Sequence, residues 1–251
     1  MNRTFVTGIT VGSASKTSIA RHVLAAHAPS PAVLSIESAT PSGEEVELFE
    51  RSDSRTLLAL KARLIAPDPT RTLIIDAGVT DSELIAQALS ELVKIRPLPH
   101  VTVVLPVLTD RKGLTGLERY APTLPSSVRR VAVLAQVQDE KAHQDFLAGK
   151  TGRAVTTFCE AQGVELCPMP FFYSPLLDTS AAHHALLGPA GLAGVAELDI
   201  DALIGAAQRK RGDKDAEARF GLALDGVGLA QQALANTRAI YNFLAAGGAH
   251  G

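Results

Sequence analysis

The chain has 251 residues, 24 Lys+Arg against 26 Asp+Glu, a formal net charge of -2, a 46% hydrophobic content and no Trp. That length suits one larger α/β domain or two small ones, and the composition excludes a disordered chain, a strongly basic nucleic-acid binder and an acidic tail protein. Cys159 and Cys167 are the two cysteines. They are too few for a disulfide framework or a four-ligand zinc site and fit a reducing compartment.

Short apolar, β-branched runs alternate with helical patterns along the chain. Thr4–Thr7 reads as a strand, Ser18–His27 as a helix, Ala32–Ile36 as a strand and Leu57–Leu64 as a helix. Thr72–Ile75 is a strand ending in Asp76, and Ser82–Ile95 is a helix with Leu84, Ile85, Ala88, Leu89 and Leu92 on one face. Val101–Leu105 and Val131–Ala135 read as buried strands, Val155–Ala161 as a helix and Val164–Leu166 as a short strand. Leu203–Ala207 and Gly221–Ala246 are closing helices, and the Pro/Gly-rich Pro168–Gly194 is a loop or lid candidate. Strand–helix alternation with apolar strands predicts an α/β fold: a doubly wound, mostly parallel sheet with helices on both faces. We expect a single domain over 1–251 with its last helix at about 221–246. The N-terminus shows no signal-peptide pattern, and no apolar run approaches the roughly 20 residues that span a bilayer. The expectation is a cytoplasmic protein without membrane insertion.

The segment Gly8 to Ser18 follows a strand and precedes a helix, which is the setting of a phosphate-binding loop. Backbone N–H groups of Gly12, Ser13, Ala14, Ser15, Lys16, Thr17 and Ser18 would cradle phosphates. Lys16 would reach the terminal phosphates and the Thr17 hydroxyl would ligand Mg²⁺. A strict Gly-x-x-x-x-Gly-Lys-[Ser/Thr] loop needs glycine where this chain has Thr10 and Ser15. A positive φ at Ser15 would cost of order 1 kcal/mol or more. The plainer reading is a strand–helix turn capped by Ser13 or Ser15, with Lys16 solvated. Glu37 follows the second strand, at the sheet end where α/β ligands bind. It would position water or Mg²⁺, or else is an exposed strand-end acid. Ile74-Ile75-Asp76-Ala77-Gly78 reads as apolar strand then aspartate, with Asp76 placed to bind Mg²⁺ through water.

Taken together, these segments resemble the ParA/MinD branch of P-loop ATPases, the group with a deviant Walker A motif. The likeness covers most of the chain. Family loops read K-G-G-V-G-K-T, so aligned on Lys16 the family's first lysine is Val11 here. That departure implies slow or absent trans-activated hydrolysis. Pro106, followed by Gly113-Leu114, matches the family's fourth strand and its helix; Gln136 stands where the family has an adenine-reading Asn; Pro168-Met169-Pro170 is similar to the loop that packs on the base. Within the group, Val33–Ser38, the Ile-Ile-Asp-Ala-Gly run and the length look most like plasmid stability and mobilisation proteins of the StbB and TraL kind.

The resemblance implies an ATP-binding switch with ATP/ADP and Mg²⁺ as cofactors and Lys16, Glu37 and Asp76 as the catalytic set. Its hydrolysis would be slow or absent, and its work would lie in plasmid stability, positioning, segregation or conjugative mobilisation. The implied partners are a second copy in a homodimer and a small plasmid-encoded DNA-binding or relaxosome protein, with weak nonspecific DNA contact. The alternatives are a nucleotide-free adaptor of the same fold and a dethiobiotin-synthetase-like ligase, whose opening Phe5-Val6-Thr7-Gly8 resembles. Asp178, His183 and His184 read as solvated loop residues rather than a metal cluster. Arg209-Lys210-Arg211 with Lys214 is the densest basic run, and acids at Asp213, Asp215 and Glu217 follow it.

Overall fold

The computed structural model describes residues 3–9, 15–36, 46–48, 56–78, 81–178, 180–187 and 191–247. Seven strands run in the order β3-β2-β4-β1-β5-β6-β7, and an eighth pairs with β6. They are β1 (Thr4–Thr7), β2 (Pro31–Ile36), β3 (Val46–Leu48), β4 (Thr72–Ala77), β5 (Val101–Leu108), β6 (Arg129–Val137), β7 (Glu165–Leu166) and β8 (Phe171–Phe172). The pairings β1–β4, β1–β5, β2–β3, β2–β4, β5–β6 and β6–β7 are all parallel. β1, β4 and β5 are buried along nearly their whole length. That explains why they read as continuous apolar runs rather than alternating ones.

From β1 the chain moves outward to β2 and β3; after β4 it crosses β1 to β5 and continues to β6 and β7. Right-handed crossovers then place the helices that follow β1 and β4 on opposite faces. One face carries α1 (Lys16–Ser18), which runs on as a π-helical stretch, Ile19–Ala25. The end of α9 (Lys214–Ala246) lies here too, with Tyr241 against Phe5 of β1 and His27, ring centroids 6.2 and 6.0 Å apart. The other face carries α2 (Thr56–Ile65), α3 (Ser82–Leu92), α4 (Arg111–Tyr120), α5 (Glu140–Ala148) and α6 (Lys150–Gln162). There the buried Tyr120 hydroxyl donates to the Ser82 carbonyl at 3.0 Å. This doubly wound arrangement is the fold class expected from the sequence.

Differences from the expected elements have local causes. β4 continues one residue past Asp76, so the aspartate is the fifth of its six residues. β5 runs to Leu108 through Pro106, which would normally end a central strand. The β1 pairing of β5 stops at Val104, so no β1 carbonyl calls for the N–H that Pro106 lacks, while its β6 partner is Val133. α9 begins at Lys214, well before the expected 221. β3, α5 and β8 were not expected.

By contact the chain divides into two compact units, 1–171 with 239–251, and 172–238. The second unit has its own apolar cluster, built from Leu176, Leu187, Leu192, Val195, Ala230 and Ala233. Much of the segment expected as a loop or lid is therefore anchored: Leu176 and Leu187 are core residues, and a short 3-10 turn (Ala182–Leu186) and α7 (Gly191–Ala196) lie between or beside them. α8 (Ile200–Arg209) follows, and none of its residues is buried.

Candidate functional site

Ligand crevices in open α/β sheets lie outside the carboxyl ends of neighbouring strands whose following helices take opposite faces, and β1 and β4 are such a pair. Thr7 closes β1 in register with Asp76 of β4. The Thr7 hydroxyl donates to Asp76 Oδ1 at 2.9 Å. Both residues are buried, Asp76 at 5% exposure. Burying a carboxyl group is costly unless it is hydrogen-bonded, and Thr7 supplies such a bond.

Lys16 opens α1 and is 8% exposed, an unusual degree of burial for lysine. It is not the solvated side chain of the plainer sequence reading. Thr17 and Ser18 are half-buried beside it. Ser15 precedes them at φ 61 and ψ 26, in the left-handed region that glycine adopts without strain. Its hydroxyl makes no capping bond to the helix, so the cap expected at Ser15 is not formed. Instead Gln136 Nε2 donates to Ser15 Oγ at 3.2 Å. Gln136 is the exposed residue near the end of β6 and has a φ of 60.

The β4–α3 connection is tied back to β1. The Ser82 hydroxyl lies 3.2 Å from the Ile9 carbonyl and 3.1 Å from the Gly78 carbonyl, both acceptors. Asp81, 1% exposed, starts α3, and its N–H donates to the Gly78 carbonyl. Tyr120 packs where a Cβ on Gly8 would stand, 2.9 Å from its hydroxyl. Burial pushes the Tyr120 phenol well above its ordinary pKa.

The structure thus brings Ser15, Lys16 and Thr17 to the end of the sheet that holds Asp76, and joins Gln136 to Ser15. Gly12, Ser13, Ala14 and Glu37 lie outside the described residues, as does Val11. Pro168 is exposed in the link between β7 and β8 and takes no part in the hydrogen bonds described above. Sequence reading missed Thr7, Asp81 and Ser82. The available signal for Thr7 was a polar residue ending an apolar strand, beside a second strand ending in an acid.

The other clusters carry no such geometry. Among the described residues no three His, Cys, Asp or Glu side chains are placed to hold a metal. Asp178 accepts from Tyr173 and Ser180, and His184 Nδ1 lies 2.9 Å from the Leu176 carbonyl oxygen. Burial raises the thiols of Cys159 and Cys167 to a pKa of about 11 each, which keeps them neutral at pH 7. No described helix is long and apolar enough to cross a membrane. Compared with the models of known protein families this chain matches none, and no curated protein matches it either.

Proposed function

We propose that the chain is an ATP-binding switch similar to the ParA/MinD ATPases, acting in plasmid stability, segregation or conjugative mobilisation. The observation that carries this reading is a nearly buried lysine at the start of the helix after β1, at the end of a parallel sheet where the neighbouring strand holds a buried aspartate. A lysine withdrawn from water in that place suits a ligand carrying concentrated negative charge, as phosphates do.

The residues present fit Mg²⁺, which takes oxygen donors, keeps several waters and needs no cage of protein side chains. The Thr17 hydroxyl would ligate the ion, and Asp76 would hold it through water. Bound there, the ion would supply charge neutralisation to the phosphates. Lys16 would neutralise the terminal phosphate, and Thr7 would fix the Asp76 carboxylate in one orientation. Val11 in place of the family's first lysine argues for slow or absent hydrolysis, with Glu37 as the acid that would orient water. A nucleotide-gated homodimer and a small DNA-binding or relaxosome partner complete the proposal.

Isothermal titration with ATP–Mg²⁺ tests it, using Lys16→Ala as control and circular dichroism to confirm that the variant folds. Saturable binding by the wild type, weakened at least about tenfold in the variant, supports the switch. No binding, or equal affinity in a folded Lys16→Ala protein, rejects it. The left-handed Ser15 favours a second reading, a nucleotide-free adaptor, because a glycine would take that backbone without strain. The adaptor predicts no thermal stabilisation by ATP–Mg²⁺, whereas a ligand at 100 times its Kd would add about 2.7 kcal/mol.

A further inference from the structure

Among the described residues three that are not glycine have a positive φ: Ser15, Ser30 and Gln136. Two of these three are joined side chain to side chain, Gln136 Nε2 donating to Ser15 Oγ at 3.2 Å across 121 positions of sequence. Strained backbone persists where its surroundings over-determine it, and two strained residues holding one another meet that condition. Ser15 is fixed on its other side as well, since its carbonyl accepts from the Ile19 N–H at 2.9 Å. Its hydroxyl is therefore engaged with β6 and its carbonyl with the helix that begins at Lys16.

We propose that Gln136 is a positioning residue for the phosphate end of the ligand: its carboxamide latches Ser15 in the left-handed conformation. The latch does what the freedom of a glycine would do at this position, and so sets the path of the chain immediately before Lys16. The inference rests on the nucleotide reading above. It departs from the base-reading role implied by the sequence resemblance, because the carboxamide donates to the loop.

The two roles separate by ligand. Titrations use ATP–Mg²⁺ and magnesium tripolyphosphate, which has the phosphates and no base, against wild type, Gln136→Ala, Ser15→Gly and the double variant. The latch predicts that Gln136→Ala weakens both ligands by the same factor, about fivefold for one lost neutral hydrogen bond. Adding Ser15→Gly restores both to within about twofold of wild type, because glycine holds the conformation unaided. Gln136→Gly removes the carboxamide and accepts the φ of 60, so it gives the same loss should the alanine variant fold poorly. A loss confined to ATP, wild-type binding of ATP without tripolyphosphate, unchanged affinities, or no rescue by Ser15→Gly each overturns the latch while leaving ATP binding standing. A wild-type protein that binds neither ligand overturns the nucleotide reading and the latch with it.

Discussion

Thr7 and Asp76 show how a register step becomes chemistry. Parallel pairing of β1 with β4 sets the two residues opposite each other, and the hydroxyl then reaches the carboxylate at 2.9 Å. Valine has nearly the shape of threonine but no donor, so Thr7→Val leaves a buried acceptor without this bond. The expected destabilisation is about 1–3 kcal/mol, measured by urea unfolding with an unchanged m-value. If Asp76 also holds Mg²⁺, the same variant weakens ATP–Mg²⁺ binding more than it weakens metal-free ATP. Equal stability of the variant and wild type would show that Asp76 does not depend on Thr7. Lys16 and Asp76 were legible in the sequence because each belongs to a local pattern, a loop before a helix and an acid at the end of an apolar run. The Gln136–Ser15 bond was not, because nothing local to either residue encodes a partner 121 positions away.

At the level of elements, the strands were legible to within a few residues where burial makes them uniformly apolar. β3 was not, since three residues carry no usable period. α5 was missed although its start is marked: Asp139 accepts from the Ala142 N–H at 2.7 Å, an N-cap. α4 begins in the same way, with Asp110 accepting from the Gly113 N–H at 2.8 Å. Gly113 has a second task there. A Cβ on it would stand 2.1 Å from the Leu108 carbonyl oxygen and 2.6 Å from the Leu108 nitrogen, so the first turn of α4 lies directly on the end of β5. Two substitutions separate capping from close approach. Asp110→Ala removes one capping bond and lowers stability by about 1 kcal/mol. Gly113→Ala forces backbone against backbone and costs more, at least about 1–3 kcal/mol, or prevents folding. Thermal unfolding checks the order. A Gly113→Ala protein as stable as Asp110→Ala would mean that α4 yields easily at its first turn.

Across the whole molecule, stability is set by what each element buries. β1, β4 and β5 are hydrogen-bonded on both sides within the sheet and buried along nearly all their length. Their amides open only in large-scale unfolding. α8 is the opposite case. Ile200, Leu203, Ile204 and Ala207 share one helical face by their spacing, yet Ile200 and Ile204 are 37% and 38% exposed and nothing on the helix is buried. Its N-cap is sound, Asp199 accepting from the Ala202 N–H at 2.9 Å, but ten residues with none fully buried are too few for a stable helix in water. Hydrogen exchange followed by mass spectrometry gives the ranking directly. Peptides from β1, β4 and β5 exchange at the rate of global unfolding, and those from 200–209 exchange several orders of magnitude faster, with only their capped first turn slowed. Replacing Asp199 by Ala removes that remaining protection without altering exchange in the sheet. Protection of α8 equal to that of β5 in the isolated protein would require its apolar stripe to be covered in solution, and dilution would then accelerate its exchange if the cover were a second copy of the chain.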